Sequence, residues 1–360
     1  MKHTSKYKVD IGILISVALF FIISIISIRS AQNLLDNVDN LMTKQILWYV
    51  LGFGLIFFIM FIGNHFLYKN AWILYILGCV ALILVLFFGA DINNARCWFK
   101  IPGIGNIQPS EFMKIILIIV LGRMINSFKE KYNSPTLTQE FLFLLKVMIV
   151  VLIPSILTFL EPDTGVVLIY LIITITMLFI AGIRYRWFFI LFGLIGTIIT
   201  IIGSSFFLRV DRLLDWSSGS GYQLENGITA IGSGGLFGFG INKTPIYFPE
   251  PQTDFIFAVF ANNFGYIGVI GIIVLITFFD LRLIKLAIES PTNINKYIIG
   301  GIIGMLIYQQ LQNIGMTLGL MPITGITLPF ISYGGSSLLS YMLILGIVFN
   351  ISNENIRYRN

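Results

Sequence analysis

Charge is what this chain has least of: 23 Lys plus Arg and 17 Asp plus Glu make up 11% of its 360 residues, against about a quarter in soluble globular proteins. A surface so poor in charge cannot be kept in water, which excludes an ordinary soluble enzyme. Cysteine is nearly absent. Cys79 falls inside an apolar run and Cys97 in a loop, and the two match neither a disulfide framework nor a metal-ligand spacing. Histidine is equally rare, and His3 and His65 both fall on the side assigned below to the cytoplasm. No zinc site or Ser-His-Asp triad can therefore be assembled near the acids on the other side.

What is present is apolar: 57% hydrophobic residues and a mean hydropathy of +0.90. A spanning helix needs about 20 mostly apolar residues, because every backbone amide must be satisfied within roughly 30 Å of hydrocarbon. Ten such runs lie near 11–28, 46–63, 71–89, 111–128, 141–160, 165–183, 187–207, 254–280, 297–320 and 327–350. The expected fold class is all-α: a polytopic membrane protein of about ten transmembrane helices, a single domain over 1–360. With the termini in the cytoplasm, 15 of the 23 basic residues fall inside, which is the orientation that the positive-inside rule selects. The net charge of +6 is then a topogenic signal, and no nucleic-acid partner follows from it. The loop near 90–110 and the large loop between helices seven and eight, near 208–253, face outward.

Ionisable groups at membrane depth cost about 2.5–3.5 kcal/mol each on insertion scales, so each needs a partner or a task. In Gln108-Pro109-Ser110-Glu111-Phe112-Met113-Lys114, Pro109 suits the first helical position, and Glu111 and Lys114, three apart, share a helix face. A local ion pair accounts for them as well as a functional pair does. Glu161-Pro162-Asp163-Thr164-Gly165 reads as an exposed turn. The glycines of Ile231-Gly232-Ser233-Gly234-Gly235-Leu236-Phe237-Gly238-Phe239-Gly240 fit no nucleotide-phosphate pattern. They suit close backbone approach to a lipid, or an interfacial half-helix. Asp254, in Thr253-Asp254-Phe255-Ile256-Phe257-Ala258, is either a first-turn residue favoured by the helix dipole or a general base for an attacking hydroxyl.

Taken together, these segments resemble the SEDS family (shape, elongation, division and sporulation), typified by RodA and FtsW. The resemblance extends over nearly the whole chain and includes Trp98, Gly221-Tyr222-Gln223, Gln312-Asn313-Ile314-Gly315-Met316 and Leu328-Pro329-Phe330-Ile331-Ser332-Tyr333-Gly334-Gly335-Ser336-Ser337. It implies a peptidoglycan glycosyltransferase that polymerises lipid II on the outer face of the bacterial cytoplasmic membrane, with a class B penicillin-binding protein as transpeptidase partner. The short tails and Ile101-Pro102-Gly103-Ile104-Gly105 look more like RodA, and so like a role in elongation and cell shape. By the same resemblance Asp254 is the catalytic residue and Glu111, Lys114, Trp98 and Arg96 bind substrate, while the charge of a diphosphate leaving group adds Arg212 and Lys243 as expected substrate-binding cations. A divalent cation, Mg2+ or Mn2+, is implied without assigned ligands. Cys97 stands where many relatives have Arg, and Asn262-Asn263 where many have a Glu pair. A lipid II flippase and a non-catalytic scaffold of the cell-wall machinery are the alternative functions.

Overall fold

The computed structural model describes residues 9–35, 40–92, 95–101, 105–190, 221–241, 243, 246–247 and 249–359. The helices are α1 (Ile11–Gln32), α2 (Leu41–Ile62), the short α3 (Asn64–Lys69), α4 (Ala71–Phe88), α5 (Pro109–Lys131), α6 (Leu137–Leu160), α7 (Thr164–Ile180), α8 (Tyr222–Ser233), α9 (Ile256–Ile288), α10 (Asn293–Thr317) and α11 (Gly335–Arg359). Their ends obey local chemistry. Asp10 caps α1 by accepting from Ile13 N, and Thr136 with Gln139 forms a capping box on α6. Pro109 opens α5, where its missing N–H costs nothing.

Six of the described helices are long and apolar enough to cross a membrane: α1, α2, α4, α6, α9 and α11. Helices α5, α7 and α10 coincide with three further predicted runs and sit centrally, α5 against α4, α6, α7, α10 and α11. A helix walled by other helices need not present a lipid-compatible surface all round, which is why α5 and α10 can carry polar residues such as Lys114, Gln309 and Asn313 in buried positions. The chain is a multi-pass, all-α membrane protein. The seventh predicted run, 187–207, lies mostly outside the described residues.

The structure corrects two expectations. The last helix begins at Gly335, not near 327, because Pro329 and a left-handed Phe330 (φ 65°) interrupt the apolar run. The buried Ile326, Leu328, Phe330 and Ile331 fill the core from a non-helical segment. The loop near 90–110 is a small antiparallel sheet, β1 (Ala90–Ile92), β2 (Ala95–Ile101) and β3 (Gly105–Ile107), in the order β1-β2-β3. Its register pairs Ala90 with Trp98 and Lys100 with Asn106.

Helix α9 is broken at Gly265 (φ 62°). The backbone groups released there bond to the glycine segment after α8: Phe239 N and Gly240 N donate to the carbonyls of Asn262 and Asn263, while Tyr266 N and Ile267 N donate to those of Gly235 and Leu236. The contact is tight enough to require glycine on both sides. A Cβ at Gly265 would stand 2.4 Å from Gly238 N, and one at Gly238 (φ 75°) 2.2 Å from Asn263 O. Gly265→Ala is therefore expected to lower stability by at least the roughly 1–2 kcal/mol of a left-handed non-glycine residue. Gly271→Ala, on the same helix with open space around it, should cost nothing. Thermal melting in detergent compares the two, and equal melting temperatures would contradict the stitch.

Candidate active-site cavity

The N-terminal end of α5, the turn before α7, the segment before α9 and the non-helical stretch before α11 converge under the sheet. They enclose a cavity of about 1140 Å³ lined among others by Trp48, Trp98, Glu111, Asp163, Glu250, Asp254, Gln309, Thr327 and Tyr333. That is somewhat above the usual range for small-molecule sites, which is roughly 300–1,000 Å³.

Asp254 lies in the turn just ahead of α9 and is half-buried. Its backbone is held from two directions. The fully buried Asn313 of α10 donates from Nδ2 to Asp254 O (2.9 Å) and to Ile326 O (2.8 Å). Beside it, Ser332 Oγ donates to Thr253 O (2.7 Å), and Tyr333 N to Gln252 O (2.8 Å). The segments around Asp254, Asn313 and Ser332 are thus one physical unit, with the carboxylate fixed at the cavity wall.

Across the cavity, Gln108 N donates to Ser336 Oγ (2.8 Å), and Gln108 Nε2 donates to Asp163 Oδ2 (2.7 Å). The other Asp163 oxygen caps α7 at Val166 N (3.2 Å). Glu111 reaches the cavity edge, whereas Lys114 is fully buried behind it, with Nζ 2.8 Å from Glu111 Oε2 and 5.6 Å from the Tyr341 ring centroid. Tyr341 in turn accepts from Gln309 Nε2 (2.8 Å) and lies 3.3 Å from Thr327 Oγ1. Two cavity-lining residues are thereby coupled to the buried ion pair.

Of the residues singled out from the sequence, Asp254, Glu111 and Trp98 line the cavity, and Lys114 supports Glu111 from behind. Arg96 is exposed on β2, 3.4 Å from Asp91, and neither it nor Lys243 is among the lining residues. Arg212 lies outside the described residues. The cations that do line the cavity are Lys44, at the start of α2, and Lys100, on β2. Sequence reasoning passed over both, although each is one of the few basic residues on the side opposite the termini. Among the described residues no three His, Cys, Asp or Glu side chains are grouped closely enough to hold a metal ion.

The sequence around Glu161 predicts an exposed turn, but Glu161 is fully buried and neither carboxylate oxygen has a hydrogen-bond partner among the described residues. The Cys97 thiol sits over it, donating to its backbone carbonyl (2.7 Å). At this turn between α6 and α7, burial, and secondarily the Asp163 carboxylate, raise the Glu161 carboxyl from 4.5 to about 8. Between those values the folded protein holds a proton that the unfolded chain has released. Stability from this group is therefore full below the unfolded value, falls as pH rises, and is lost above about pH 8. Glu161→Gln should flatten that decline in a melting series across this window. An equally steep decline in the variant would place the titrating group elsewhere.

The fold is that of a helical membrane bundle, and its cavity, with polar and apolar side chains in the wall beside a backbone-anchored carboxylate, has the character of a ligand site. The profile of the FtsW/RodA/SpoVE family, described as cell cycle proteins, matches residues 7–357. The chain belongs to that family. It is 32% identical to stage V sporulation protein E of Bacillus subtilis over 97% of this chain and 98% of that protein. It is 37% identical to a probable peptidoglycan glycosyltransferase FtsW of Coxiella burnetii over 78% of each. Among solved structures it superposes on a chain of a peptidoglycan synthase complex that coordinates polymerization and crosslinking, with TM-score 0.83, 28% identity and coverage of 97% and 99%. It also superposes on the rod shape determining protein RodA of Thermus thermophilus, with TM-score 0.73, 28% identity and coverage of 96% and 97%.

Proposed function

We propose that this protein is a peptidoglycan glycosyltransferase that polymerises lipid II, and that the cavity around Asp254 is its active site. The observation that carries the reading is the Asp254 carboxylate, fixed by its backbone in the wall of a cavity that also presents Lys44 and Lys100. The 4-hydroxyl of the acceptor sugar attacks the anomeric carbon of the donor and Asp254 takes its proton. The bond from that carbon to the diphosphate breaks, undecaprenyl diphosphate leaves, and the configuration inverts. The charge of the leaving group needs cations near it. Lys44 and Lys100 replace Lys114 in that role, because Lys114 is occupied by Glu111. A divalent cation fits as a companion of the diphosphate: Mg2+ is commonly held by one or two carboxylates together with substrate phosphates, and the cavity offers separate carboxylates rather than a cage.

The active site faces outward in this reading, which rests on the basic-residue asymmetry of the loops. A class B penicillin-binding protein is the proposed partner, supported by the likeness to a chain of a synthase complex. Assignment to elongation and shape rests on the RodA-like Ile101-Pro102-Gly103-Ile104-Gly105 stretch, while the relatives named FtsW and stage V sporulation protein E support division or sporulation equally. Transport of lipid II is disfavoured by the position of Asp254 at a helix mouth, since carriers place their coupling charges near the midplane. The purified protein incubated with lipid II and Mg2+ should yield a glycan ladder on a gel and lose it on chelation. No ladder, with or without a penicillin-binding partner, would refute the enzymatic reading.

A further inference from the structure

The segment after α8 belongs by sequence to a polar outer loop, yet its tip carries Leu236 and Phe237 exposed at 64% and 78%. Its depth can be measured along two helices. On α1, Asp10 pairs with Arg282 at the base of the bundle, and Ser30 Oγ donates to Asn263 Oδ1 (3.0 Å) near the other end. Nineteen residues separate Ile11 from Ser30, so at 1.5 Å per residue Asn263 stands about 28 Å above that charged base. Ile267, whose N–H donates to Leu236 O (3.2 Å), lies four residues, about 6 Å, nearer the base. Counting instead along α9 from Arg282 to Ile267 gives the same height, about 22 Å. Hydrocarbon is roughly 30 Å thick, so the tip stands inside it.

Non-helical backbone is tolerated at that depth only if its polar groups are satisfied by protein. The four hydrogen bonds between the glycine segment and the break in α9, with Gly238 N donating to Gly234 O (2.8 Å), supply that satisfaction. The four cross-links consume the backbone groups which the break at Gly265 would otherwise leave open to lipid. The helix break and the loop complete each other.

We propose that α8 and the glycine segment form a re-entrant element whose tip, Leu236 and Phe237, is immersed in the acyl chains of the cavity-side leaflet. The partner of this surface is lipid. Its anchor is the half-helix that begins two residues after Asp254, so the helix that directly follows the carboxylate is also the one gripped by the bilayer.

The test is depth-dependent quenching on the full chain in nanodiscs. In a background carrying Cys79→Ala and Cys97→Ser, single cysteines at Phe237 (F237C) and Leu236 (L236C) are labelled with bimane. Phe57→Cys on the exposed face of α2 serves as the lipid reference and Arg96→Cys on the sheet as the aqueous reference. Acyl-brominated phospholipid should quench both tip labels as strongly as the Phe57 label, and aqueous iodide should leave them as bright as that label. Iodide quenching at the tip comparable to that at Arg96 would overturn the proposal. Quenching by neither agent would also overturn it, since the tip would then be packed against protein.

Discussion

Asp254→Ala is expected to lower the rate of lipid II polymerisation by about 10² to 10⁴, the usual contribution of a general base, while leaving fold and substrate binding intact. The asymmetry follows from how the residue is held. Asn313 and the bonds from Ser332 and Tyr333 grip the backbone of residues 252–254, so truncating the side chain leaves this framework in place. The melting temperature and the binding of a lipid II analogue should match those of the parent. Asp254→Asn, which keeps the shape but loses the basicity, should be as inactive as the alanine variant. A protein that keeps normal turnover without this carboxylate would remove the residue from the mechanism. A variant that melts much earlier would show that the side chain supports the fold rather than the chemistry.

The second large effect falls on stability. Lys114 is fully buried, and its partner Glu111 is 10% exposed with Oε2 2.8 Å away. Removing one member of a buried pair strands the other, at a cost of about 3–5 kcal/mol. The two truncations should be unequal. Glu111→Gln leaves the Lys114 ammonium in the protein interior, with the face of Tyr341 5.6 Å away and no neutralising charge. Lys114→Met leaves a carboxylate that reaches the cavity edge and lies 3.4 Å from Ser340 Oγ, where hydration limits the damage. Glu111→Gln should therefore be the more destabilising, and Glu111→Gln combined with Lys114→Met should recover most of the loss. Equilibrium unfolding in mixed micelles provides the cycle. Single variants within about 1 kcal/mol of the parent would show that the pair is hydrated after all.

Much of this arrangement was legible in the sequence because membrane residence constrains it so strongly. Apolar runs located the helices, and Pro109 marked the start of α5 to the residue. The acids and cations flagged as costly at depth led to Asp254, Glu111 and Lys114. What escaped was set by tertiary contacts. The run from Ile326 to Ile331 is as apolar as a span, yet it is buried as a non-helical segment, because Pro329 and the bonds to Gln252 and Thr253 hold it there. Glu161 sits in a turn-like sequence that says nothing of the Cys97 thiol closing over it. The convergence of Lys44 and Lys100 on one cavity depends on a sheet folding back over α4 and α5, and no local pattern announces that.

In the proposed mechanism, two lipid-linked sugars meet beside Asp254 in the cavity under the sheet. Cryo-electron microscopy of the Asp254→Asn protein in nanodiscs with lipid II tests this directly. The prediction is sugar density against residue 254, with the diphosphate toward Lys44 and Lys100. Substrate density confined to a lipid-facing surface, with the cavity holding none, would contradict it.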